Sequence, residues 1–199
     1  SIRRVMEQKN REPGIKGVVA DIIHVQKDYE VAIETALGGS IQNIVTDNEQ
    51  TAKRMIGFLK KNRFGRATFL PLSNISGRGG LNQRDVLSEP GVVGTANTLV
   101  NADKEYSELV MYLLGRVLVV DNIDHAIAIG KKYRHSLRMV TIEGESLSPG
   151  GSMTGGAFKN NSNLLGRNRE IEELEEQISR SEQKIRESRS RLEDIRTAQ

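Results

Sequence analysis

Residues 13–38, PGIKGVVADIIHVQKDYEVAIETALG, and residues 90–115, PGVVGTANTLVNADKEYSELVMYLLG, align without a gap at a constant offset of 77. Seven of the 26 positions are identical: Pro13/Pro90, Gly14/Gly91, Gly17/Gly94, Lys27/Lys104, Tyr29/Tyr106, Leu37/Leu114 and Gly38/Gly115. Apolar positions match as well, at Ile22/Leu99, Ile23/Val100 and Ile33/Val110. After the shared Leu-Gly each copy continues with a β-like run, Asp-Asn, an amphipathic helical pattern and a further β-rich run, ATFLPL (67–72) or LRMVTIEGE (137–145). Each copy therefore reads strand, helix, strand, helix, strand. Units this small rarely hold a core alone, so the two are expected to pack together as one α+β or α/β-like body of pseudo-twofold character. A polar, Gly-rich linker, 73–89, joins subdomain I (13–72) to subdomain II (90–160).

The C-terminal part, 161–199, follows a different rule. Ile171, Leu174, Ile178, Ile185, Leu192 and Ile195 recur at steps of three and four, with Ser181 and Ser188 at the remaining seam positions. This heptad seam predicts a helix over 169–197, roughly 43 Å long at 1.5 Å per residue. So narrow an apolar stripe needs a partner helix. Ile2, Val5, Met6 and Lys9 share its spacing and Pro13-Gly14 would end such a helix, which makes residues 1–12 an antiparallel coiled-coil stub. The stub is too short to cover the seam. Together with the start at Ser1, that suggests a fragment of a longer chain, cut at both ends.

Composition narrows the functional classes. With no cysteine, disulfides, thiolate metal sites and cysteine nucleophiles are excluded, and a reducing compartment is the natural home. No apolar run reaches the roughly 18 residues of a membrane span and no signal-peptide pattern opens the chain; a soluble cytoplasmic protein is expected. The net charge is +3, but from Gln50 to Arg84 there is no acid and there are eight bases: Lys53, Arg54, Lys60, Lys61, Arg63, Arg66, Arg78 and Arg84. Such a run is either a polyanion-binding surface or a solvated helix face followed by a loop.

PGGSMTGG (149–156) holds four glycines. It lacks the lysine of a phosphate-binding loop and, with Thr154 where G-x-S-x-G requires glycine, it is no nucleophile elbow. His24, His125 and His135 have no ligand spacing, and Glu143 and Glu145 read as a strand end and turn. No catalytic constellation remains. The glycines either form a flexible turn or bare a strand edge to another polypeptide by β-augmentation. If repeat one docks on repeat two of a second copy, twofold symmetry makes the contact twice and closes a ring.

Tyr29 with AIETALG, IQNIVTD, TA at 51–52, GRATFLPL, YLLG with VLVVDN, and VTIEGE with SPGGSMTGG resemble the hinge domain of structural maintenance of chromosomes (SMC) proteins, in its bacterial, condensin-like branch. The resemblance spans essentially the whole chain. It implies a doughnut-shaped homodimer joining two coiled-coil arms that lead to ABC-type ATPase heads outside this fragment. ATP and Mg would bind there, and none is expected here. It further implies that the full-length protein organises, condenses and segregates chromosomes, associates with the nucleoid and binds kleisin-type subunits through its heads. Gly150, Gly151, Gly155 and Gly156 map onto the family's dimer interface. The resemblance also implies DNA contact, preferentially single-stranded, through Lys60, Lys61 and Arg63 with Arg54 and Arg66 behind them, and a role as a gate. The Cys-x-x-Cys of a zinc-hook relative is absent. Two other readings stay open: a sequence-independent nucleic-acid-binding domain with incidental self-association, and an enzyme built from duplicated α/β units.

Overall fold

A computed structural model describes residues 1–77, 79–158 and 163–198. Arg78 and the expected boundary at 160/161 lie outside them. The first repeat contains α1 (Ile2–Met6), β1 (Ile15–Val18), the short α2 (Val19–Ile22), β2 (His24–Val25), α3 (Glu30–Leu37), β3 (Ile44–Thr46), α4 (Glu49–Asn62) and β4 (Phe69–Pro71). The second contains β5 (Val92–Thr95), β6 (Val100–Asn101), α5 (Ser107–Leu114), β7 (Val117–Val120), α6 (Ile123–Lys132), β8 (Arg138–Thr141) and the pair β9 (Ser146–Leu147) and β10 (Met153–Thr154). A 34-residue helix, α7 (Leu164–Thr197), follows.

The duplication is a structural one. β1 pairs antiparallel with β3 and β5 with β7, each with a register irregularity ending at the equivalent glycine, Gly17 or Gly94. Those residues have φ 150° and 157°, which glycine adopts without strain. β3 then pairs parallel with β4, and β7 with β8. The shared Pro-Gly and Asp-Asn have one explanation. Asp47 N–H donates to the Gly14 carbonyl and Asp121 N–H to that of Gly91, both at 2.8 Å. Asn48 and Asn122 cap α4 and α6, accepting from the N–H of Thr51 at 3.0 Å and of His125 at 2.9 Å. A Cβ on Gly14 would lie 2.5 Å from both Asp47 Oδ1 and Thr51 Oγ1, and one on Gly91 2.3 Å from His125 Nδ1. Bare backbone is required at both junctions.

The repeats meet at β2 and β6, where His24 faces Asn101 and Val25 faces Val100. His24 and Asn101 are themselves equivalent positions, so the pseudo-twofold axis passes between them. A single core joins the copies: Val19, Ile23, Ile33 and Val45 from the first and Leu109, Leu114, Val119 and Val140 from the second are buried together. Alternate residues of the sheets face outward into two further clusters. Ile44 packs with Val5, Ile15, Met55 and Leu59, while Leu118 and Val120 pack with Ala126, Ile129 and Met139.

Three expectations are corrected. The N-terminal helix ends at Met6, with turns over residues 7–11. Its Val5 is fully buried against α4 and the first sheet, so it belongs to repeat one and leaves the seam of α7 uncovered, Ile178 being 59% exposed. Within 73–89, residues Arg84–Ser88 form a 3-10 helix that buries Val86 in the outer cluster of the second repeat. The long helix starts at Leu164 rather than Arg169, because Leu165 joins the shared core.

Candidate dimer interface and basic surface

The second sheet has the order β10-β9-β8-β7-β5, so the glycine-rich segment carries its outermost strand. Met153 pairs with Leu147 and Thr154 with Ser146; among the described residues no strand pairs with the other side of β10, and Met153 is 52% exposed. The turn before β10 is tied down. Gly150 N–H donates to the His135 carbonyl at 2.8 Å, Gly151 N–H to that of Ser148 at 3.0 Å, and Ser148 N–H to that of Ser152 at 2.9 Å.

The four glycines separate into two kinds. Gly150, Gly151 and Gly156 have φ 92°, 100° and 133°, so the turn's own conformation calls for glycine. Gly155 lies outside that region, and a Cβ there would meet only the Glu145 side chain, its Cγ at 3.1 Å. Nothing in the chain's own backbone demands glycine at 155. All four face outward. The first sheet, of order β1-β3-β4, ends in a second open edge at β4.

The basic residues divide similarly. α4 buries Thr51, Ala52, Met55 and Leu59 and turns Lys53, Arg54, Ile56, Gly57, Lys60 and Lys61 outward. Lys60 and Lys61 occupy the last turn, where cations also complement the helix dipole, and Arg63 ends the helix in a left-handed conformation at φ 53°. Lys60, Lys61, Arg63 and Arg66 are exposed, and no ion pair involves them among the described residues. Arg54 differs. Its guanidinium is held by both Glu12 carboxylate oxygens at 3.0–3.2 Å, and that bond pushes it above the ordinary arginine range. Arg4, which sequence reasoning missed, stacks 4.9 Å over the Phe64 ring and adds a cation beside this group.

The histidines have structural partners. His24 Nδ1 meets Glu172 of α7 at 2.9 Å, His125 Nδ1 meets Asp121 Oδ1 at 2.7 Å, and the His135 carbonyl holds the glycine turn. Glu145 bonds Thr141 within the β8–β9 turn. Among the described residues no group of three or more His, Cys, Asp or Glu is placed to hold a metal, and no helix is long and apolar enough to cross a membrane.

The chain is thus a duplicated α+β body sharing one core, with β4 and β10 as outer strands of its two larger sheets and a long apolar-seamed helix leaving it. The family description "SMC proteins Flexible Hinge Domain" matches residues 12–130. The chromosome partition protein Smc of Bacillus subtilis is 44% identical over 187 residues, covering 92% of this chain and 16% of that protein. The crystal structure of an asymmetric dimer of the Geobacillus stearothermophilus SMC hinge domain superposes with TM-score 0.84 at 40% identity, over 92% of this chain and 75% of that one. The Pyrococcus furiosus SMC hinge domain gives 0.66 at 32%, over 80% and 82%. The chain belongs to the SMC hinge-domain family, and it spans about a sixth of the length of the Bacillus relative.

Proposed function

We propose that this chain is the dimerisation hinge of a chromosome-partitioning SMC protein, joining two coiled-coil arms whose ATPase heads and kleisin-type partners lie elsewhere. The carrying observation is the β10 edge, to which no further strand pairs among the described residues, beside Gly155, whose φ is not left-handed and where a Cβ would press only on the Glu145 side chain. A relative of 40% identity is an asymmetric hinge dimer, which supports the same assembly here. Sedimentation velocity of the chain at micromolar concentration tests it; a dimer is expected, and a monomer refutes the reading.

The hinge also contacts DNA through Lys60, Lys61 and Arg63, with Arg66 and Arg4 beside them, and serves as a gate in a nucleoid-associated complex. Lys60, Lys61, Arg63 and Arg66, exposed and without acidic partners among the described residues, support this, whereas Arg4 is paired with Glu7 at 3.5 Å. Three phosphate contacts to a single strand give a slope near −2 in log K against log salt. A gel-shift titration of single-stranded DNA at two salt concentrations should show binding lost in Lys60→Glu/Lys61→Glu, and unchanged binding refutes the assignment. Arg54, already neutralised by Glu12, contributes less.

A further inference from the structure

The base of α7 rests on two buried carboxylates. Glu30 and Glu34, four residues apart on α3, are 4% and 8% exposed. Arg169 Nε bonds Glu30 Oε1, and Asn163 Nδ2 approaches Glu30 Oε2 at 3.4 Å. Asn168 Nδ2 reaches the Ala20 carbonyl and Asp21 Oδ1, each at 2.9 Å, and Leu165 enters the shared core. The approach is close enough that a Cβ on Gly166 would lie 2.7 Å from Glu30 Oε2 and 2.3 Å from Asn163 Nδ2. Glu34 Oε2 is buried with no hydrogen-bond partner among the described residues.

Burial pushes the Glu34 carboxyl above the usual carboxylate range; the Leu164 N–H draws it back, the Glu30 charge raises it further and the Arg167 charge lowers it. Arg169 on the same face is taken by Glu30 and Glu173, and Arg138 of β8 is turned to the Ala36 carbonyl. A buried acceptor without a partner bears its full desolvation cost. Here the burial is imposed by the helix docked above it, so withdrawing that helix hydrates the carboxylate.

We propose that Leu164–Arg169 is a detachable latch: the arm has a docked position, seen here, and a second in which the base of α7 leaves α3 and Glu34 is solvated. The Arg169–Glu30 pair, the Asn168 bonds and Leu165 hold the latch shut, and Glu34 strains it open. Joint angle is thereby set by a two-state contact rather than by a continuous bend.

Spin labels at Lys53→Cys and Glu182→Cys, unique in a cysteine-free chain, read the arm's position in labelled protein diluted with unlabelled chain. The unmodified latch should give two distance populations. Glu34→Gln, nearly isosteric and uncharged, should collapse them to the docked one and slow amide exchange over 165–169 by about tenfold. Gly166→Ala, which alters no charge, should enrich the undocked population. A single distance in the unmodified chain, with the same exchange rates in Glu34→Gln, overturns the proposal. Neither readout depends on whether the hinge dimerises or binds DNA.

Discussion

Replacing Gly155 with valine separates a glycine kept for a partner from glycines kept for the turn. Within the chain the new side chain meets only Glu145, its Cγ 3.1 Å from the Cβ position, and that partly buried side chain, which accepts from the Thr141 hydroxyl, must shift to admit it. The φ at 155 is not left-handed, so backbone strain adds nothing. The monomer's stability should fall by no more than about 1 kcal/mol, the net worth of the Thr141–Glu145 hydrogen bond. Against a partner strand the outcome differs. A strand added to β10 lies about 4.8 Å away, and overpacking such a contact costs about 1–3 kcal/mol.

Closure in a twofold dimer makes the contact twice, giving about 2–6 kcal/mol per dimer. That weakens the dissociation constant by roughly 30-fold to 10⁴-fold. Sedimentation equilibrium over a dilution series measures the loss, and a thermal melt of the same sample confirms that the monomer is intact. An unchanged dissociation constant with an unchanged melt refutes the reasoning, because it would mean that nothing approaches residue 155. Gly150, Gly151 and Gly156 are poorer probes. Their left-handed φ makes any side chain costly in the monomer itself, by about 1–3 kcal/mol, and dimer loss would then report a damaged turn.

Two further outcomes test the duplicated junctions. Gly91→Ala should cost more than Gly14→Ala, since both place a Cβ against a side chain but only Gly91 has a left-handed φ, at 86°; the excess of about 1–3 kcal/mol should appear as a lower melting temperature for Gly91→Ala, and equal melts refute it. The Thr51 hydroxyl donates to Asp47 Oδ1 at 2.6 Å and holds that carboxyl below its usual value of 3.8. The bond's contribution is therefore complete above that value and is lost as pH falls through the lowered one, so the melting advantage of the unmodified chain over Asp47→Asn should vanish in strong acid, and persistence there refutes the linkage.

Much of this architecture was legible because the second repeat repeats its constraints as well as its hydrophobicity. Pro-Gly, Asp-Asn and the bulge glycines Gly17 and Gly94 are local requirements of one strand–turn–helix junction, and they survive as identities. Contacts made across long sequence separations left no such mark. Glu30 and Glu34 lie in a stretch that reads as an ordinary helix with a polar face, and only Arg169, far along the chain, reveals that the face is buried. Leu165 and Gly166 fall outside the heptad seam, so periodicity started the helix too late. Val5 fits a coiled-coil spacing, yet the pocket formed by Met55 and Leu59 claims it. Arg54 sits in an all-basic run, and its partner Glu12 precedes that run in the first repeat.

The broken symmetry of the two sheets bears on how a second chain would dock. The first sheet stops at β4, the counterpart of β8, whereas the second continues through β9 to β10. If β10 paired with β10 of a partner, both β4 edges would stay open, each inviting further association. If β10 pairs with the partner's β4, two contacts cover both β10 and both β4 edges and close a ring of two chains. Edge economy therefore favours contact between unlike repeats. In this cysteine-free sequence, mixing Thr68→Cys and Thr154→Cys chains should yield an oxidised cross-link between residues 68 and 154 of different copies. A link formed by Thr154→Cys alone would instead set like edge against like, and the ring of unlike contacts would have to be abandoned.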